Sequence, residues 1–227
     1  MHIVLIVVAS LAIIIGPGLW VSAVMRRYHF PRNRYERTGG ETARALLDSL
    51  GLEHVRTEST ERGDHYDPAD KAVRLSPDNF TGTSLTALTV AAHEVGHALQ
   101  DASGFRPLRW RTRLVRWVRP IEKAGAAMLM LSPFVAFVPP TRFLGILTFL
   151  AGLGTLLSGV AVHALTLPTE FDASFRRALP LIRREAILRK EDLPRARKLL
   201  TAAALTYVSG ALQSLLNIAR WWTILRR

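Results

Sequence analysis

All 18 acidic residues of this chain fall within residues 26–123 and 168–198, and around those stretches lie long runs almost free of charge. Outside them the only basic residues are Arg142, Arg220, Arg226 and Arg227. A charge is costly in hydrocarbon, so long uncharged runs read as membrane helices and charge-rich stretches as wet segments. Residues 3–25 and 143–167 are long enough, at ~1.5 Å per residue, to cross a ~30 Å hydrocarbon layer. Residues 199–219 reach the same length despite Gln213 and Asn217. Residues 124–138 are shorter, stop at Pro139-Pro140, and are taken as the fourth span.

No Lys or Arg precedes the first run and Arg26-Arg27 follow it, so it is expected to be a retained anchor rather than a cleaved signal. The expected fold is a mainly α membrane protein with about four transmembrane helices and a small α+β module between the first and second. The anchor is then 1–25, the module 26–123, a membrane hairpin 124–167, a second wet segment 168–198, and a last helix with its tail 199–227.

The net charge of +12 invites a nucleic-acid reading, but its placement argues otherwise. Of the 30 Lys and Arg, 17 lie in 26–123 and nine in 168–198, an excess that fits the basic cytoplasmic face of a membrane protein. Such a surface suits anionic lipid headgroups, and no nucleic-acid module accompanies it. Cysteine is absent, which removes disulfides and thiolate metal sites and agrees with wet segments on the cytoplasmic side.

Within the module, apolar Ala43, Leu46, Leu47 and Leu50 predict a helix over 41–49 with Gly51 as its stop. Residues 54–58 read as a strand, 61–70 as turns, and 72–75 as a second strand at a sheet edge, where an extended peptide could add. Residues 83–100 predict a helix capped by Thr83 or Ser84. Trp110 and Trp117 sit in a basic amphipathic piece suited to a membrane interface.

That capped helix contains His93-Glu94-Val95-Gly96-His97. Residues four apart on an α-helix lie ~40° apart in projection, so both imidazoles face one point. Neutral imidazole is a good zinc ligand, and Glu94 lies beside the metal, able to take a proton from a water it activates. Catalytic zinc needs a third protein ligand, and no His follows His97 within seven residues. A distant carboxylate must supply it, and residues 167–174, where the third run ends, hold the best candidates, Glu170 and Asp172. Two passes through the membrane would return that segment to the side of the histidines.

His65-Tyr66-Asp67-Pro68, Val73-Arg74-Leu75-Ser76, the block 91–100 and the block 167–174 together resemble the YugP-like family of bacterial neutral zinc metallopeptidases. The resemblance runs along nearly the whole chain. It implies a zincin-like module, zinc, peptidase activity on peptide or protein substrates and a bacterial cytoplasmic membrane location. Two imidazoles and a carboxylate make one zinc site per chain, and the basic excess of 26–123 and 168–198 puts it on the cytoplasmic side. The resemblance carries the ligand roles over to His93, His97 and Glu170, and the general base to Glu94. Glu170-x-x-Ala173 also resembles the ligand motif of HtpX-like proteases, with Ser174 where those carry Asp. Asp172 points ~200° around a helix from Glu170, so it is read as orienting a ligand.

His65, in a polar turn, can position substrate or serve the turn; His163, two turns before Glu170, can support the site or fill the bundle. Arg176 and Arg177 can bind a substrate carboxylate or anchor headgroups. Two other readings remain open: an intramembrane protease of the site-2 type, and a zinc-stabilised membrane scaffold without catalysis. Oligomeric state is not legible.

Overall fold

The computed structural model describes residues 2–137 and 142–225, and these belong to two units. The first, Leu19–Arg109 with Pro168–Thr206, begins within helix α1 (His2–Tyr28) and includes its last turns. It contains α2 (Gly39–Ser49), strands β1 (Arg56–Ser59), β2 (His65–Asp67) and β3 (Ala72–Leu75), α3 (Pro77–Phe80) and α4 (Leu85–Ala102). The chain re-enters it at the end of α6 (Arg142–Phe171), then forms a π-helical segment, Asp172–Ala178, α7 (Leu179–Arg184) and the start of α8 (Leu193–Leu225).

Helix α2 starts two residues before the expected position because Thr38 and Glu41 form a reciprocal capping box, satisfying two backbone N–H groups that the helix leaves open. It ends where expected: Gly51 takes φ 69°, and Leu52 N–H donates to the Leu47 carbonyl at 2.9 Å. Ala43, Leu46 and Leu47 form its buried face.

The sheet departs from expectation. Its order is β1-β3-β2, with β3 parallel to β1 and antiparallel to β2. Ala72–Leu75 is therefore the middle strand, and its edges are not open to an added peptide. The alternation that suggested an edge comes from Arg74, whose guanidinium is covered by Glu58, Asp67 and Asp70, while Ala72, Val73 and Leu75 are fully buried. β2 forms inside the stretch read as turns, since pairing with β3 supplies a pattern too short to see in three residues.

Ser84 caps α4 by accepting from Ala87 N–H at 3.1 Å. Fifteen of its 18 residues are buried, which makes it the central helix of the unit rather than a one-sided one. A buried ion-pair cluster ties the segment after α1 to the start of α8. Asp192, fully buried, accepts from Arg34, Tyr35 and Arg195 at 2.5–2.7 Å.

The second unit is Met1–Gly18, Trp110–Leu167 and Tyr207–Arg227. Its α5 (Arg106–Phe137) and α6 run antiparallel in close contact, Gly125 against Thr155, Leu129 against Gly152 and Ala136 against Gly145. The Arg111 guanidinium stacks 5.0 Å from the Tyr207 ring.

The four transmembrane helices expected from hydropathy are not borne out: among the described residues, no helix is long and apolar enough to cross a membrane. For residues 124–137 the physical reason lies in the helix boundaries. Counting uncharged residues finds runs, whereas a span needs one unbroken apolar helix. Here helices join apolar runs to charged neighbours: α5 opens with Arg106, Arg109, Arg111, Arg113 and Arg116, α8 with Arg195, Arg197 and Lys198. Prolines lie inside α1 at Pro17, α5 at Pro120 and Pro133, and α6 at Pro168. The Pro139-Pro140 turn lies outside the described residues.

Candidate metal centre

His93 and His97 stand one turn apart on α4, their ring centroids 4.8 Å apart and both side chains buried. Glu170, in the last turn of α6 and 1% exposed, reaches them across 70-odd residues of intervening chain. One of its carboxylate oxygens, Oε2, lies 3.3 Å from His93 Nε2 and 3.4 Å from His97 Nε2. Among the described residues, His93, His97 and Glu170 are the group whose ligand atoms come together, all within 4.8 Å.

These separations fit a metal ion. Tetrahedral zinc with bonds of ~2.0–2.1 Å sets any two of its ligand atoms about 3.3 Å apart. The chemistry of the donors also fits. Gln100 Oε1, an acceptor only, lies 2.9 Å from His97 Nδ1, so Nδ1 carries the hydrogen and Nε2 is left with its lone pair. Ser174 Oγ donates to the Leu200 carbonyl at 3.2 Å, which makes His93 Nδ1, also 3.2 Å from Oγ, the donor to it. Both Nε2 atoms therefore face a carboxylate oxygen, three lone-pair donors in a buried place, and a cation reconciles them.

The electrostatics agree. Burial by itself would raise the Glu170 carboxyl; the charge of His97 and the hydrogen bonds of both rings reverse this and hold it well below the usual carboxylate range. A cation between the two rings and the carboxylate would act on Glu170 in the same direction.

Packing explains why Glu170 arrives. Gly96 lies where α4 meets the π-helical segment, and a Cβ there would sit 2.8 Å from the Ala173 carbonyl oxygen. Gly96, between the two histidines, thus decides how closely the ligand-bearing segment approaches.

Glu94, the expected general base, is on α4 and 6% exposed. Asp172 is buried beside the site but outside the ligand group: its Oδ2 accepts from Gln100 Nε2 at 2.9 Å and from Arg177 Nε at 2.7 Å. Arg177, read from sequence as facing substrate or lipid, instead donates to Asp172 and to the Leu99 carbonyl, whereas Arg176 is exposed. His65 lies in β2, its Nδ1 2.8 Å from the Gly63 carbonyl, and is not part of the ligand group. The His163 side chain lies outside the described residues. Gln100 was missed as a functional residue, although its spacing of three from His97 puts it on the same face of α4.

With this geometry established, comparison with known proteins is direct. The family model described as "Putative neutral zinc metallopeptidase" matches residues 3–226. The "Putative membrane protease YugP" of Bacillus subtilis (strain 168) is 37% identical over 227 residues, covering 96% of this chain and 94% of that protein. No solved structure matches. The match over nearly the whole chain, with a histidine pair and a buried glutamate gathered at metal spacing, places this chain in the neutral zinc metallopeptidase family.

Proposed function

We propose that this chain is a membrane-associated zinc endopeptidase, a hydrolase acting on peptide bonds of cytosolic or membrane-proximal proteins. The observation that carries the reading is the convergence of His93 Nε2, His97 Nε2 and a Glu170 oxygen at zinc spacing in a member of a zinc peptidase family. His93, His97 and Glu170 would hold one zinc per chain, which would supply polarisation of the scissile carbonyl and acidification of a water molecule. Glu94, next to His93 on α4, accepts a proton from that water as its oxygen bonds to the carbonyl carbon. It returns the proton to the amine nitrogen as the C–N bond breaks.

Membrane association is supported by the name of the Bacillus relative and by the surface of α5. Trp110 and Trp117 are 71% and 72% exposed among Arg106, Arg109, Arg113 and Arg116, the mixture that favours an interface of anionic headgroups. The absence of cysteine and the basic excess of both charge-rich stretches support a site on the cytoplasmic side.

The test is metal content together with turnover of a generic unfolded protein such as reduced casein. About one zinc per chain is expected, with cleavage abolished by a chelator and restored by zinc. A fully zinc-loaded protein that leaves unfolded substrate intact would overturn the peptidase reading in favour of a zinc-stabilised scaffold.

A further inference from the structure

Behind His97 stands a chain of side chains that the peptidase reaction itself does not require: Gln100, Asp172 and Arg177. Gln100 is fully buried, and its amide is held at every polar atom. Its Oε1 faces His97 Nδ1 at 2.9 Å, and its two N–H bonds point at two acceptors, the Thr169 carbonyl at 2.8 Å and Asp172 Oδ2 at 2.9 Å. Turning the amide over would set its oxygen against a carbonyl and a carboxylate, with no donor among the three. The amide therefore has one orientation, and that orientation allows His97 one neutral tautomer.

Asp172 is held in turn. Arg177 donates to the same Oδ2 at 2.7 Å, fixes its other arm on the Leu99 carbonyl at 3.0 Å, and lies 5.4 Å from the Phe105 ring. Asp172 and Arg177 are five residues apart, a spacing that an α-helix would turn well apart. In the π-helical segment Asp172–Ala178 the backbone bonds run i→i+5, so residues five apart return to one side. The wide helix thus assembles the pair behind the metal ligands.

We infer that Gln100, fixed by Asp172 and Arg177, is a positioning residue that locks His97 in the Nδ1–H tautomer and keeps its Nε2 lone pair aimed at the metal. His93 is held less firmly: its Nδ1 donates to the Ser174 hydroxyl, whose own hydrogen goes to the Leu200 carbonyl at 3.2 Å, and a hydroxyl can rotate where a buried amide held at every atom cannot. The lock belongs to His97 alone. The inference rests on the metal-site reading above and deepens it.

The test reads tautomer and affinity in the full-length chain. Side-chain 15N shifts of labelled histidines, measured on metal-stripped protein above the imidazole titration range, should place the His97 hydrogen on Nδ1. Zinc affinity is measured by chelator competition on the same samples. Gln100→Leu should convert His97 to a mixture of tautomers and weaken zinc about 10–100-fold, the usual effect of losing such a partner. Asp172→Ala, which removes one of the two acceptors that fix the amide and leaves the Thr169 carbonyl alone, should act in the same direction. Asp172→Asn should rescue it, since an amide oxygen still accepts from both Gln100 and Arg177. A folded Gln100→Leu protein with wild-type zinc affinity and an unmixed Nδ1–H signal sinks the lock. Should that variant fail to fold, unchanged tautomer and affinity in Asp172→Ala do the same. A wild-type chain that binds no zinc overturns the metalloenzyme reading instead, and the tautomer signal still decides the lock on its own.

Discussion

The α-carbon of Gly96 faces the carbonyl of Ala173 so closely that an added Cβ would lie 2.8 Å from that oxygen. This contact joins the histidine-bearing helix to the segment that follows Glu170. Gly96→Ala gains roughly 1 kcal/mol of helix propensity but forces backbone against backbone, an overpacking cost of typically 1–3 kcal/mol. We expect a net loss of stability in denaturant titration and weaker zinc binding, because the neighbour that must move carries the site. Gly154→Ala, with nothing within 4 Å of the new Cβ, is the control and should stabilise. Equal gains in both variants would show that the Gly96 contact sets no limit.

Glu94→Gln should keep its zinc and lose nearly all hydrolysis, a fall of about 10²–10⁴-fold for removal of a general base. Metal content and casein turnover measured on one preparation separate the two effects. Near-normal turnover in the variant removes Glu94 from the mechanism.

The ligand set predicts a ranking. His93→Ala, His97→Ala and Glu170→Gln each remove a donor that lies at metal spacing, whereas Asp172→Asn preserves an oxygen that touches only Gln100 and Arg177. Zinc titration should therefore show far larger losses for the first three. If Asp172→Asn weakened binding as much as Glu170→Gln, the carboxylate ligand would have to be reassigned.

Asp192 predicts an acid limb of stability. Burial alone would raise its carboxyl, but Arg34, Tyr35 and Arg195 hold it down to about 2. A carboxyl whose pKa is lower folded than unfolded stabilises above its unfolded pKa, near 3.9, and loses that contribution as pH falls toward 2. The contribution is about 2–3 kcal/mol, since one pKa unit corresponds to ~1.4 kcal/mol. Urea midpoints of the wild type should fall between about pH 4 and pH 2, and Asp192→Asn should be less stable at neutral pH with a flatter acid limb. Parallel curves for the two proteins would place the acid sensitivity elsewhere.

Ala186 ends helix α7 in the left-handed region at φ 48°, with Ile187 N–H bonded to the Ile182 carbonyl as in a glycine-terminated helix. A side chain costs roughly 1–2 kcal/mol in that conformation, so Ala186→Gly should raise the thermal midpoint, offset in part by the greater freedom of unfolded glycine. A lower midpoint would mean that the Ala186 methyl group contributes more through packing than it costs in strain.

What the sequence alone determined is local. The spacing of four put His93 and His97 on one face, a cap residue and a glycine bracketed α2, and Ser84 opened α4, because helix periodicity and end chemistry act over a few residues. The need for a distant carboxylate was also legible, since zinc chemistry demands a third ligand and no histidine was near. Tertiary structure decided the rest. Ala72–Leu75 became a central strand because partners on both sides, invisible in four residues, buried it. Among the described residues no helix is long and apolar enough to cross a membrane, and α5 shows one reason: it joins residues 124–137 to an arginine-rich stretch that a composition count treats separately. Gln100, Asp172 and Arg177 are ordinary polar residues until a π-helical segment brings two of them behind the third. Their joint role depends on the direction of hydrogen bonds across two elements, and no pattern along a single segment encodes that direction.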